Sequence, residues 1–191
     1  MTKIAIDSLL SLEQYAKQRD QIRAEAMRLK RLRSVFVGPN MTLQFESEAT
    51  IRYQIQEMLR IEKTFEEDGI VDELDAYNPL IPDGTNLKCT QMIEFPDEDE
   101  RKIKLAELVG VENRTYIQVQ GYDRVYAIAD EDLQRSSDTK TSSVHFSRFE
   151  FTAEMIAAIK NGAAIAMGVD HPKYNFRVDE IDPETQGSLT A

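Results

Sequence analysis

Cysteine occurs once in the 191 residues, histidine twice and tryptophan not at all. The lone Cys89 excludes an intramolecular disulfide, a CxxC redox pair and an all-thiolate zinc or iron–sulfur site. His145 and His171 are too few for a three-histidine metal centre, and neither stands in an H-E-x-x-H or Glu-x-x-His arrangement. No cofactor signature is evident; a divalent metal would have to draw carboxylates from distant segments. Glycine is also scarce, with eight in all, and no subset spells a phosphate-cradling P-loop or a dinucleotide fingerprint. A G-x-S-x-G nucleophile elbow is missing as well. Long apolar runs are absent: the N-terminal stretch meets Glu13 and Lys17 early, so neither a signal peptide nor a membrane span is expected, and the cytoplasm is the expected location.

Bases are outnumbered, 23 against 34 acids, for a formal charge of −11. Such a chain repels a phosphate backbone unless its bases are segregated. Arg28, Lys30, Arg31 and Arg33 do cluster, at the end of the first predicted helix, where they complement the helix dipole. Neither nucleic acid nor a membrane is an expected partner. With 41% hydrophobic and 30% charged residues, the chain has an ordinary globular profile and is long enough to bury a core without metal or disulfide staples.

Periodicity predicts a long N-terminal helix from Ser11 to Leu32, then a hairpin around Gly38-Pro39-Asn40. A second helix is expected from Ala49 to Glu66, closed by Asp68-Gly69, and a short one from Val71 to Tyr77. Asn78 to Gly84 reads as a rigid loop. LKCTQMIEF is a predicted strand, Asp97 to Leu108 a helix ended by Gly110, and TYIQVQ with RVYAIA a hairpin around Gly121-Tyr122-Asp123. A strand SVHFSRFEF, a helix capped by Thr152, and strands AIAMGV and YNFRVDE follow. About eight strands and five helices without a repeating βα unit predict an α+β fold with an antiparallel or mixed sheet. One domain is expected over residues 1–191, with 182–191 as a frayed tail.

Several polar residues fall where apolar ones belong. On TIRYQIQEMLRIEKTF, Ile51, Ile55, Met58, Leu59, Ile61 and Phe65 share one broad face, and Glu62 lies within it. Arg19 and Arg23 fall inside the stripe of the first helix. An uncompensated buried carboxylate is costly, so Glu62 is expected to meet Arg19 or Arg23 in a partly buried ion network, or to line a pocket for an anionic ligand with them. Alternation in SVHFSRFEF sends His145, Ser147, Phe149 and Phe151 to one face; His145 there reads as a satisfied core residue or as a ligand. Asp170-His171-Pro172 follows an apolar run and marks a strand-end turn, where either turn chemistry or a binding site fits.

The segments RYQIQEMLRIE, ELDAYNPLIPDG, RVYAIADED, KTSSVHF with RFE, and GVDHP resemble a bacterial domain family known mainly as one of unknown function. The resemblance runs from the first helix to about Val178. Its motifs include Arg52, Tyr53, Glu57, Glu62, His145 and His171, and Ser147 departs from the aliphatic residue expected at its position. The resemblance implies genes placed beside rubrerythrin-like and heterodisulfide-reductase-like iron–sulfur proteins, hence a role near peroxide defence or thiol and electron-transfer chemistry.

These readings lead to an accessory or ligand-binding protein attached to a redox or oxidative-stress system. It would have no redox centre of its own and would act through a rubrerythrin-like or iron–sulfur partner or on a small anionic ligand. The rival expectation is an enzyme or metalloprotein that gathers Glu62, His145 and His171 in a pocket with Arg19 and Arg23. A third is a dimerisation module.

Overall fold

The structure, a computed structural model, describes residues 3–190. Among these residues it has six α-helices and nine strands, an α+β fold with antiparallel pairing throughout. The described residues fall into two compact units, one of residues 3–32 and 46–84, the other of residues 33–45 and 85–190.

The first unit is helical. Helix α1 spans Leu12–Leu32, α2 Glu48–Glu62 and α3 Glu67–Tyr77. Ser11 caps α1 by accepting from the Gln14 amide, and Ser47 with Thr50 forms a reciprocal capping box at α2. The second helix stops earlier than its periodicity suggests, because Lys63 turns left-handed at φ 55°. Asp68 and Gly69, expected to close α2, lie in the first turn of α3. The core of this unit gathers Ile51, Ile55 and Leu59 from α2, Leu74 from α3, and Ile4 and Ile81 from the flanking segments.

The second unit is built on two sheets. Strands β1 (Ser34–Phe36), β2 (Met41–Phe45), β3 (Asn86–Ile93), β7 (Val144–Glu150) and β6 (Ile128–Ala129) form a five-stranded sheet in that order. Strands β5 (Arg124–Tyr126), β4 (Thr115–Val119), β8 (Ile165–His171) and β9 (Tyr174–Val178) form a four-stranded one. The expected strand RVYAIA is split, because Ala127 carries the chain from one sheet to the other. Both sheets feed one apolar cluster, with Leu43, Phe45 and Phe149 from the first and Ile117, Ile165 and Met167 from the second. Helices α4 (Glu98–Glu107) and α5 (Ala153–Lys160) start on side-chain caps from Asp97 and Thr152. The tail expected to fray instead forms α6, Pro183–Thr190, and its Leu189 enters the same apolar cluster.

Gly168 in β8 shows how tightly the four-stranded sheet is fitted. A Cβ there would lie 2.6 Å from Tyr116 Cζ and 2.8 Å from the Phe176 carbonyl oxygen. The phenol end of Tyr116 therefore lies over the glycine. Gly168→Ala is expected to lower stability by about 1–3 kcal/mol through overpacking, measured as a shift in the urea midpoint at constant m-value.

Candidate functional site

In the helical unit the inward charge is real but its partner differs from the one expected. Arg19 Nε and Nη2 fork onto Glu57 Oε1 and Oε2, each at 2.8 Å, and the Tyr15 hydroxyl donates to Oε1 at 2.6 Å. Tyr15 is fully buried. The Arg19 fork, helped by the Tyr15 bond, holds the Glu57 carboxyl down at about 2. Burial and the neighbouring carboxylate push the Tyr15 phenol well above its ordinary value. Glu62 is exposed and so is Arg23, which corrects the expectation of a buried Arg19 or Arg23 pair with Glu62. The reason is geometric: Ile51, Ile55 and Leu59 define the buried stripe, the helix ends at Glu62, and Ile61 and Phe65 are 64% and 73% exposed.

A groove of about 420 Å³ runs between α1 and α2 over Ile22, Ala26, Leu29 and Tyr53. Two of its polar lining residues are engaged with neighbouring groups. Arg52 binds Glu48 and the Ser8 carbonyl, and Gln56 bonds the Leu10 amide and carbonyl.

His145 sits on the inward face of β7, as its alternation predicts, and is fully buried. Its Nδ1 lies 2.6 Å from Asp130 Oδ2, and its Nε2 lies 2.8 Å from Thr141 Oγ1 and 3.1 Å from the Ser142 carbonyl. Thr141 donates onward to Glu112 Oε2 at 3.1 Å, and Ser136 donates to Oε1 at 2.8 Å. Both ring nitrogens are thus hydrogen-bonded within the network. Asp130 also receives the Phe146 amide and Arg135, and it adopts a left-handed φ of 54° that aspartate tolerates. This network ties the 131–143 connection, which has no helix or strand, to the five-stranded sheet. Gln91, in register with His145, is also fully buried, and its Nε2 has no hydrogen-bond partner among the described residues. Ser147, the departure noted in the sequence, faces inward and reaches Gln91 Oε1 at 3.4 Å. His145 thus occupies a core position with both ring nitrogens satisfied by protein groups.

His171 belongs elsewhere. Its Nδ1 accepts from the Lys173 amide of the β8–β9 turn and its Nε2 donates to the Val109 carbonyl in the segment after α4, both at 3.2 Å, so both ring nitrogens are occupied. His145 and His171 share no hydrogen-bond partner within the second unit, and Glu62, Arg19 and Arg23 belong to the helical unit. Among the described residues, no group of three or more His, Cys, Asp or Glu is arranged to hold a metal ion.

Asp170 is the centre of a second polar cluster in this unit. It lies beside the start of β4 on the open face of the four-stranded sheet, and its Oδ2 accepts from Arg124 Nη1 at 2.9 Å and from the Tyr126 hydroxyl at 2.5 Å. Arg114 Nη1 stands 3.9 Å from Oδ1. Register explains the assembly. Tyr126, Tyr116, Gly168 and Arg177 are aligned across β5, β4, β8 and β9, with Arg124 and Gln118 in the adjacent row. The Arg124 guanidinium stacks 4.1 Å from the Tyr116 ring centroid, and Arg177 lies at 6.0 Å. Arg177 is further held by Gln118 and Asp179. The Tyr126 hydroxyl, with Tyr116 and Asp170, pushes the Arg124 guanidinium above its ordinary value, and the Tyr116 hydroxyl with Asp179 does the same for Arg177. Sequence reasoning found Asp170 but missed Arg114, Arg124 and Arg177. The visible signal was the pair of alternating arginines, in RVY and NFRV, on two strands whose pairing was unknown.

The sequence model of the family described as "Protein of unknown function (DUF3501)" matches residues 3–191. No match is found among curated proteins. A crystal structure of a novel protein of unknown function from Burkholderia pseudomallei K96243 is 51% identical. It superposes with a TM-score of 0.94 over 99% of this chain and 98% of that one. Among the described residues no helix is long and apolar enough to cross a membrane.

Proposed function

Since the chain belongs to the family of proteins of unknown function DUF3501, whose name carries no activity, we propose that it is an accessory protein that binds a small anion on the arginine–tyrosine face of its four-stranded sheet. The observation that carries this reading is the convergence of Arg114, Arg124 and Arg177 around Tyr116 and Asp170. In a chain of net charge −11, three guanidinium groups against Asp170 and Asp179 make a local excess of positive charge, and guanidinium forks suit oxyanions. Arg114, 56% exposed, keeps most of its donors available.

Cytoplasmic placement beside a rubrerythrin-like or iron–sulfur protein belongs to the same proposal. Its support is the gene neighbourhood implied by the resemblance, together with Cys89, which is buried in the core of the second unit. In this view the protein delivers or senses an anion for a redox partner and leaves the electron chemistry to that partner.

The direct test is calorimetric titration of the whole chain with inorganic phosphate. Saturable binding is expected, with a rise in Tm that follows ligand concentration. The double variant Arg124→Gln with Arg177→Gln should weaken binding roughly tenfold or more while keeping a cooperative unfolding transition. Binding of equal strength in that variant would remove this face as the site.

A further inference from the structure

The groove between α1 and α2 is built wholly from the helical unit and shares no residue with the arginine–tyrosine face. Helix α1 has 21 residues but buries only Tyr15 and Ala26, so Ile22 and Leu29 on the groove side stay half covered. Ala26 and Ala49, whose side chains are single methyl groups, line the space between the helices. The charges of the lining are already compensated. Glu25 accepts a fork from Arg28 at 2.6 and 3.1 Å, and Glu48 accepts from Arg52 Nε at 2.7 Å. Tyr53 differs from these. It lines the groove and is 7% exposed, yet its hydroxyl bonds no protein group among the described residues. The buried side-chain atoms without a partner are Gln91 Nε2 and Asp170 Oδ1, so the Tyr53 hydroxyl keeps access to solvent.

Dimensions narrow the occupant. The lining runs along α1 from Gln18 to Leu29, about 16 Å at the helical rise, so a volume of about 420 Å³ leaves a mean cross-section of about 26 Å². A partner helix, with a diameter of about 10–12 Å, needs roughly three times that section. An extended peptide would turn backbone donors and acceptors onto Ile22, Ala26 and Leu29, which cannot meet them. A two-chain lipid is too wide. We infer that the groove binds a free hydrocarbon molecule of one chain with an uncharged polar end, the chain lying over Ile22, Ala26 and Leu29 and the polar end accepting from the Tyr53 hydroxyl. This goes beyond the anion-binding reading and does not depend on it. A charged end would find no counter-ion, since Glu25, Glu48 and Arg52 are each engaged, and losing water beside Tyr53 would be costly for it.

The experiment titrates the primary alcohols hexanol, octanol and decanol calorimetrically into the full chain. Saturable binding of one molecule per chain is expected, tightening about two- to fourfold with each added methylene as the chain covers more of the apolar floor. Octanoate and octylammonium should bind roughly tenfold or more weakly than octanol. Ala49→Phe places a ring in the groove from an exposed position and should weaken octanol roughly tenfold or more, whereas Ala24→Phe, on an exposed part of α1 outside the groove, should leave it unchanged. Tyr53→Phe keeps the ring and removes the hydroxyl, so octanol should lose about two- to tenfold. A cooperative urea transition and unchanged helical circular dichroism show that each variant is folded. No saturable binding of any alcohol, or equal binding in Ala49→Phe, overturns the site. A charged end that binds as tightly as octanol overturns the uncharged assignment, and full affinity in Tyr53→Phe overturns the role of its hydroxyl.

Discussion

Asp130→Ala is expected to lower the unfolding free energy by about 3–5 kcal/mol, the range for removing one partner of a buried ion pair. Asp130 is 9% exposed and is the carboxylate closest to a fully buried His145 ring. Without it, the imidazole loses its Nδ1 acceptor, the Phe146 amide loses the bond at 3.1 Å, and Arg135 loses one of its two carboxylates. Alanine would also have to hold the left-handed φ of 54°, which adds about 1 kcal/mol for a residue with a Cβ and no polar group to bond locally. Such a loss is a large part of the 5–15 kcal/mol typical of a domain. Asp130→Asn keeps the acceptor and tolerates the backbone, so it should cost about half as much. Urea denaturation of the two variants checks this, and faster proteolytic cutting within 131–143 should accompany the alanine change. A cost below about 1 kcal/mol for Asp130→Ala would mean that the network does not hold this connection in place.

Stability should also fall with acid through Glu57. Its carboxyl titrates at about 2 in the folded protein against an ordinary value of 4.5. A depressed carboxylate contributes stability that is complete above the unfolded value and lost as pH drops through the folded one, so the window runs from about 4.5 down to about 2. The contribution at neutral pH is about 2–3 kcal/mol, after allowing for solvent screening at Arg19, which is 27% exposed. Wild type should therefore exceed Glu57→Gln by this amount at pH 7, and the two should converge as the pH approaches 2. A difference constant across the window would show that the Arg19 fork contributes nothing that depends on charge. Glu62→Gln is the control. Its side chain is exposed, and its effect should stay within about 0.5 kcal/mol.

The local structure was legible because it depends on neighbours in the chain. Ser11, Ser47, Asp97 and Thr152 cap the helices they precede. The two-residue alternation of β7 sends His145, Ser147 and Phe149 inward. Errors arose where a local signal competed with a tertiary one. Asp68-Gly69 looks like a helix end, yet the chain turns at Lys63 and the glycine continues into α3. The tail from Asp182 is polar enough to suggest fraying, but Leu189 reaches an apolar cluster built by distant strands. The projection sends Glu62, the last residue of α2, inward because its stripe counts Ile61 and Phe65, and both of these are exposed.

The candidate sites show the same division. That Arg19 carries charge on the inner side of its helix could be read from periodicity; that it meets Glu57 depends on how α1 and α2 cross. Asp170 could be singled out as a strand-end residue. Its companions Arg114, Arg124 and Arg177 come from three other segments and meet it only through strand pairing.

Composition and periodicity by themselves determined an acidic α+β chain with a long first helix, one cysteine and few of the common catalytic motifs, because those properties belong to single residues and their near neighbours. Tertiary structure alone decided that there are two compact units and two sheets, that His145 is held between Asp130 and Thr141, and that the arginines gather on one open sheet face. Those outcomes are set by strand register and helix crossing, which join residues far apart in sequence and leave no periodic trace in any one segment.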